Sequence, residues 1–87
     1  MQGRRVPDGE PGVVPYEPGD YGRYHGVWYF RPPANARGEA YLGSLAAHTV
    51  VEHENGTITV SPSILLRGLD HEESWHGWLE RGVWRAC

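Results

Sequence analysis

The 87-residue sequence contains no lysine. All 8 basic side chains are arginine, against 11 acidic ones, for a net charge of −3. A general nucleic-acid binder needs a basic stripe that displaces counterions, and this balance supplies none. Arginine suits planar, bidentate or stacked contacts; its exclusive use also fits a G+C-rich genome. One cysteine, Cys87, excludes an intrachain disulfide framework and fits a reducing interior. No apolar run reaches the ~18 residues of a membrane span. No apolar stretch follows Arg4 and Arg5 as it would in a signal peptide. A cytoplasmic protein without a membrane partner is expected, and the Asn55-Gly56-Thr57 sequon then goes unused. Glycine-rich phosphate loops and glycine-framed nucleophiles are missing. His71 and His76 lie five apart, whereas a zinc-peptidase helix needs i, i+4. These absences point away from an enzyme.

What is abundant is aromatic: 4 Trp, 5 Tyr and 1 Phe. Three of the tryptophans fall between Ser61 and Cys87. Within that stretch, residues 74–80 and 83–87 read as a hairpin around Arg81-Gly82, where glycine supplies positive φ. A two-residue loop sets Glu80 opposite Val83, Leu79 opposite Trp84, Trp78 opposite Arg85, Gly77 opposite Ala86 and His76 opposite Cys87. Alternation then assigns Trp75, Leu79, Trp84 and Ala86 to a core face. His76, Trp78, Glu80, Val83, Arg85 and Cys87 fall on the other. Trp78 and Arg85 form a cation–π pair in this register, against the plainer reading of sheet packing. His76 opposite Cys87 offers two metal ligands, and a zinc site needs three or four. The plainer reading is a polar pair near the strand end.

Four of the seven prolines lie in residues 1–22, so this segment is expected as an extended or disordered arm. Val13, Val14, Tyr16 and Tyr21 are its candidate anchors, and removal of residues 1–20 is expected to leave the fold intact. Residues 23–87 form a single small β domain. YHGVWYFR (24–31) reads as a strand stopped by Pro32-Pro33, and residues 39–47 read as a second. HTVVEHENGTITV (48–60) is a hairpin about Asn55-Gly56, pairing Val51 with Val60 and His53 with Ile58, with Val51, His53, Ile58 and Val60 on the apolar face. Ser61-Pro62-Ser63 breaks the strand, Ile64–Leu66 form an apolar plug, and residues 67–73 form a charged loop. The expected class is mainly β: a small antiparallel sheet, sandwich or half-open barrel of about five strands.

The segment Ser61-Pro62-Ser63-Ile64, then His76, Gly82 six residues later, and Cys87 resembles a group of small phage-encoded proteins of unknown function. The Gly56 turn and the Thr57–Val60 strand also match, so the resemblance covers residues 26–87. Some of those proteins are labelled ammonia monooxygenase, an activity for which this chain has neither a membrane span nor a copper-ligand set. Relatives with extra cysteines imply a zinc site. Here Arg31-Pro32-Pro33-Ala34-Asn35 and Trp75 occupy those places, so no cofactor is expected. Zinc on His76 and Cys87, completed by His71 or His53, is the alternative. The resemblance implies a phage or prophage source and no reaction; by analogy with the common role of small phage accessory proteins, binding of a host defence or regulatory protein in the bacterial cytoplasm is expected. Trp, Tyr and Arg are favoured at binding hot spots, so the expected contact residues are Trp75, His76, Trp78 and Arg85. The arm is a second contact, and homo-oligomerisation through an open sheet edge is a further alternative.

Overall fold

The structure, a computed structural model, describes residues 1–8, 15 and 17–87. These are mainly β, as expected, with no α-helix among them. β1 (Arg4–Arg5), β2 (Asp20–Tyr24), β3 (Val27–Phe30) and β4 (Gly43–Ser44) form one sheet in that order. β5 (Thr49–Glu52) and β6 (Ile58–Ser61) form a two-stranded sheet. β7 (Ile64–Leu66), β8 (Trp75–Glu80) and β9 (Val83–Ala86) form a third. All pairings are antiparallel except β1 with β2. No helix among the described residues is long and apolar enough to cross a membrane.

The strands outnumber the expected five because two segments divide differently and because Arg4–Arg5 also pairs, alongside β2. The 24–31 run is not one strand. His25 and Gly26 adopt φ of 51° and 80°, making a two-residue turn that pairs Tyr24 with Val27. Ile64–Leu66 is not a loose plug but pairs with the start of β8, Leu65 opposite His76. Residues 39–47 contribute only the two residues of β4.

The C-terminal hairpin has the expected register, with Arg81 and Gly82 at φ of 45° and 76°. The Asn55-Gly56 hairpin is one residue out of the expected register. His53 and Thr57, not Glu54 and Thr57, close the loop: the His53 N–H donates to the Thr57 carbonyl and the Gly56 N–H to the His53 carbonyl. Three residues therefore turn the chain, with Gly56 in the left-handed region at φ 86°. The Asn55 side chain accepts from the Thr57 N–H and hydroxyl, which fixes this form. Val50 now faces Val60, and Val51 is 51 % exposed. His53, expected among apolar residues, instead hydrogen-bonds Thr59 Oγ1 at 2.6 Å.

Residues 1–6 are extended, but they do not form an arm. Met1 exchanges two backbone hydrogen bonds with Trp84, and the Gly3 N–H donates to Gly82. The next residues cross to the other sheet, where Arg4 N–H donates to Gly19 and Val6 N–H to Tyr21. The N-terminal strand thus stitches β9 to β2. A side chain at Gly3 would meet the Gly82 carbonyl at 2.8 Å and the Trp84 indole at 2.9 Å, so the close approach requires glycine there. Val6 is buried. The expected boundary after residue 22 falls inside β2. Of the expected anchors, Tyr21 is buried in the core, while Val13, Val14 and Tyr16 lie outside the described residues.

Beneath the sheets, Tyr21, Phe30, Leu45, Ile58, Val60, Ile64, Trp75, Leu79 and Trp84 form one core cluster. Burying Val6 contributes about 1.5–3 kcal/mol, and each stitching hydrogen bond about 0.5–1.5 kcal/mol. Deleting residues 1–6 is therefore expected to remove a large part of the ~5–15 kcal/mol typical of a domain. Urea unfolding checks this; an unchanged midpoint would show that the strand is dispensable.

Candidate functional site

Along β8 the burial alternates strictly. Trp75, Gly77 and Leu79 point inward; His76, Trp78 and Glu80 point outward. Trp75 is three residues from Trp78, so parity alone puts the two rings on opposite faces. Trp75 is 7 % exposed and packs edge-on against Trp84 at 5.4 Å. Its expected place on a binding surface is corrected accordingly: it is a core residue. Ala86, expected on the core face, is exposed.

The other three expected contact residues do come together, on the outer face of the β7–β9 sheet. The Arg85 guanidinium lies over the Trp78 ring, 5.2 Å from its centroid, and Arg85 Nη2 donates to Glu80 Oε1 at 2.6 Å. Glu80 thus holds the guanidinium on the indole, in a contact worth about 0.5–1 kcal/mol at an exposed site. The His76 ring is 6.3 Å from Trp78, and its Nε2 lies 3.1 Å from Ser63 Oγ. Leu65 and Val83, 47 % and 43 % exposed, extend the same face. A trough of about 390 Å³ runs beside it between Trp78, Glu80, Thr59 and Ser61–Ser63. A second hollow shares Thr59 and Glu80 and is also lined by Val51, His53 and Arg81. The face combines one braced aromatic ring, both signs of charge and a row of hydroxyls, which are the elements of a recognition surface.

The zinc alternative is not assembled. Cys87 is exposed, and it meets His76 through its backbone, the Cys87 N–H donating to the His76 carbonyl at 2.9 Å. His71 sits in the 3₁₀ turn before β8, and His53 is engaged with Thr59. Among the described residues no three of His, Cys, Asp and Glu converge on one point. Alternation fixes only which face a side chain takes, and His71 precedes the strand that carries His76.

One cluster had no counterpart in the sequence reading. Arg5 and Arg23 both lie over the Trp28 ring, at 4.9 and 5.2 Å. Arg5 donates to Glu52 at 2.6 Å, to the Gly56 carbonyl at 2.9 Å and to both Asp8 carboxylate oxygens. Arg23 donates to Asp8 at 2.9 Å and reaches Glu52 at 3.5 Å. The signal was present in the Arg-only composition, but Arg23 faces Trp28 only once the 25–26 turn is recognised. The hydrogen bond from Arg5, with that from Arg23, holds the Asp8 carboxyl below its ordinary value near 3.8 against partial desolvation. Burial works against the Arg5 charge, but Glu52 and Asp8 outweigh it and raise its pKa.

Searches of protein-family models, curated proteins and solved structures find no match to this chain.

Because Asp8 is depressed on folding, its stabilisation is fully present above about 3.8 and is lost as pH falls through the lower folded value. Asp8→Asn is therefore expected to be less stable than the parent at neutral pH and to lose less on acidification from about pH 5 to pH 2. Denaturant midpoints across that range check it; parallel acid limbs would mean that the Asp8 pairs contribute nothing.

Proposed function

We propose that the protein is a small phage or prophage accessory protein that acts by binding a bacterial host protein, not by catalysis. Docking occurs through the outer face of the β7–β9 sheet, in the bacterial cytoplasm. The observation that supports this most is the placement of Trp78. Alternation sends it away from a core that already holds Trp75 and Trp84. Its outward ring is then braced by Arg85 and Glu80. A ring held this way loses little freedom on binding, and preorganisation lowers the cost of association. Arg85 adds a planar donor set and His76 an imidazole, while Leu65 and Val83 supply flanking apolar area. Occupying a defence or regulatory protein through such a face is enough to inhibit it.

The phage origin rests on the resemblance through Ser61-Pro62-Ser63-Ile64, His76, Gly82 and Cys87. The choice of face rests on the geometry of Trp78 and Arg85, so the two stand apart.

A host protein retained from bacterial lysate by the parent chain is expected to be lost with Trp78→Ala and weakened at least about tenfold with Arg85→Glu. Binding measured with the purified partner gives the ratio. Both side chains point outward, so the variants should keep the parent's unfolding free energy to within about 1 kcal/mol. A partner held equally by parent and Trp78→Ala would remove this face from the reading.

A further inference from the structure

Leu69 is 96 % exposed, the most of any large apolar side chain among the described residues. Its loop is nevertheless held firmly. The Leu69 N–H donates to Glu73 Oε1 at 3.0 Å, and the Gly68 N–H to Ser74 Oγ at 3.0 Å. The Ser74 hydroxyl donates back to the Asp70 carbonyl, and the Asp70 carboxylate caps the 3₁₀ turn through the Glu73 N–H. From outside the loop, Arg37 grips Asp70 at 2.7 Å and the Asn35 amide donates to the Glu73 carbonyl. Six hydrogen bonds thus hold a leucine out in water.

This leucine borders a hollow of about 480 Å³ that is also lined by Tyr41, Leu42 and Leu66 and by the charged Arg67 and Glu73. Tyr41 and Leu42 are 37 % and 44 % exposed. Tyr41 is fixed by its hydroxyl donating to Glu73 Oε2 at 3.1 Å. An apolar knob and an apolar hollow therefore share one patch.

We infer that this end of the molecule is a self-association surface, on which Leu69 of one copy fills the Tyr41–Leu42–Leu66 hollow of a second. A twofold contact needs a patch that complements itself, and a knob beside its own hollow meets that condition. Charge agrees with this arrangement. Arg67, two residues before Leu69, accompanies the knob to the partner's rim, where the Glu73 carboxylate lies. Arg67 has no acidic partner among the described residues of its own chain. This surface is separate from the Trp78 face, and the inference does not depend on the proposed function.

Sedimentation equilibrium of the full chain, run up to about 1 mM, tests it. The mass is expected to rise from monomer toward dimer and stop there. Leu69→Asp should raise the dissociation constant at least about tenfold, as should Leu42→Lys on the hollow side. Arg67→Glu should weaken the dimer more at low salt than at high. Trp78→Ala should leave it unchanged. An unaltered unfolding midpoint in Leu69→Asp or Leu42→Lys keeps the comparison valid in at least one of them. A monomer at every concentration, growth beyond the dimer, or a dimer indifferent to both variants would overturn the inference.

Discussion

At 2 % exposure the Trp84 indole N–H must find a partner inside the protein, and it donates to the Gly19 carbonyl at 2.9 Å. Left unsatisfied, such a group costs about 1–3 kcal/mol. The bond has consequences well beyond β9. Gly19 precedes Asp20, whose buried carboxylate is gripped bidentately by Arg4 at 3.0 and 2.7 Å. The Gly19 N–H in turn donates to Arg31, at the end of β3. The Trp84 backbone pairs with Met1, and its ring meets Trp75 and Phe30 at 5.4 and 5.8 Å. One residue therefore ties together the N-terminus, both larger sheets and the aromatic core. That arrangement answers the size problem of a small domain with no disulfide and no assembled metal site among its described residues.

Arginine carries out the outer half of the same task. Arg4 seals the β1–β2 edge, while Arg5 and Arg23 close over Trp28 and bind Asp8 and Glu52 from separate segments. Arg31 donates to the carbonyls of Pro15 and Ala40 at 2.9 and 2.7 Å. These contacts use several guanidinium donors at once in a fixed plane, which an ammonium does not supply. The absence of lysine thus has a use in the fold, whatever its origin in codon composition.

How much of this was legible follows from how local each cause is. The C-terminal register was readable because Arg81-Gly82 accepts the positive φ of a two-residue turn, and alternation did the rest. Asn55-Gly56 carries the stronger turn signal, yet the register slipped by one. The Asn55 side chain bonds Thr57 and admits a third loop residue, a choice that dipeptide composition does not encode. His25-Gly26 was missed because the aromatic run beyond it masked the turn. The N-terminal strand was misread for a different reason. Its partners are Gly82 and Trp84, at the far end of the chain, and proline content speaks only about local geometry. The Trp78–Arg85 half of the candidate site was legible through parity. The Trp28 cluster was not, since it needs three segments brought together.

Side chains that the fold does not require are the more informative about function. Trp84, Trp75 and Phe30 are accounted for by the core, and Trp28 by the arginines that cover it. Trp78 and Leu69 are not accounted for in this way. Trp78 is turned outward by alternation, and Leu69 is held almost wholly in water by a loop whose own hydrogen bonds would be equally satisfied around a polar side chain. Exposing a large apolar group forfeits about 25 cal/mol for each Å² left in water, so holding one there in fixed geometry favours a contact outside the monomer over an accident of packing. The two groups lie on different surfaces, one braced by charge and the other set beside a matching hollow.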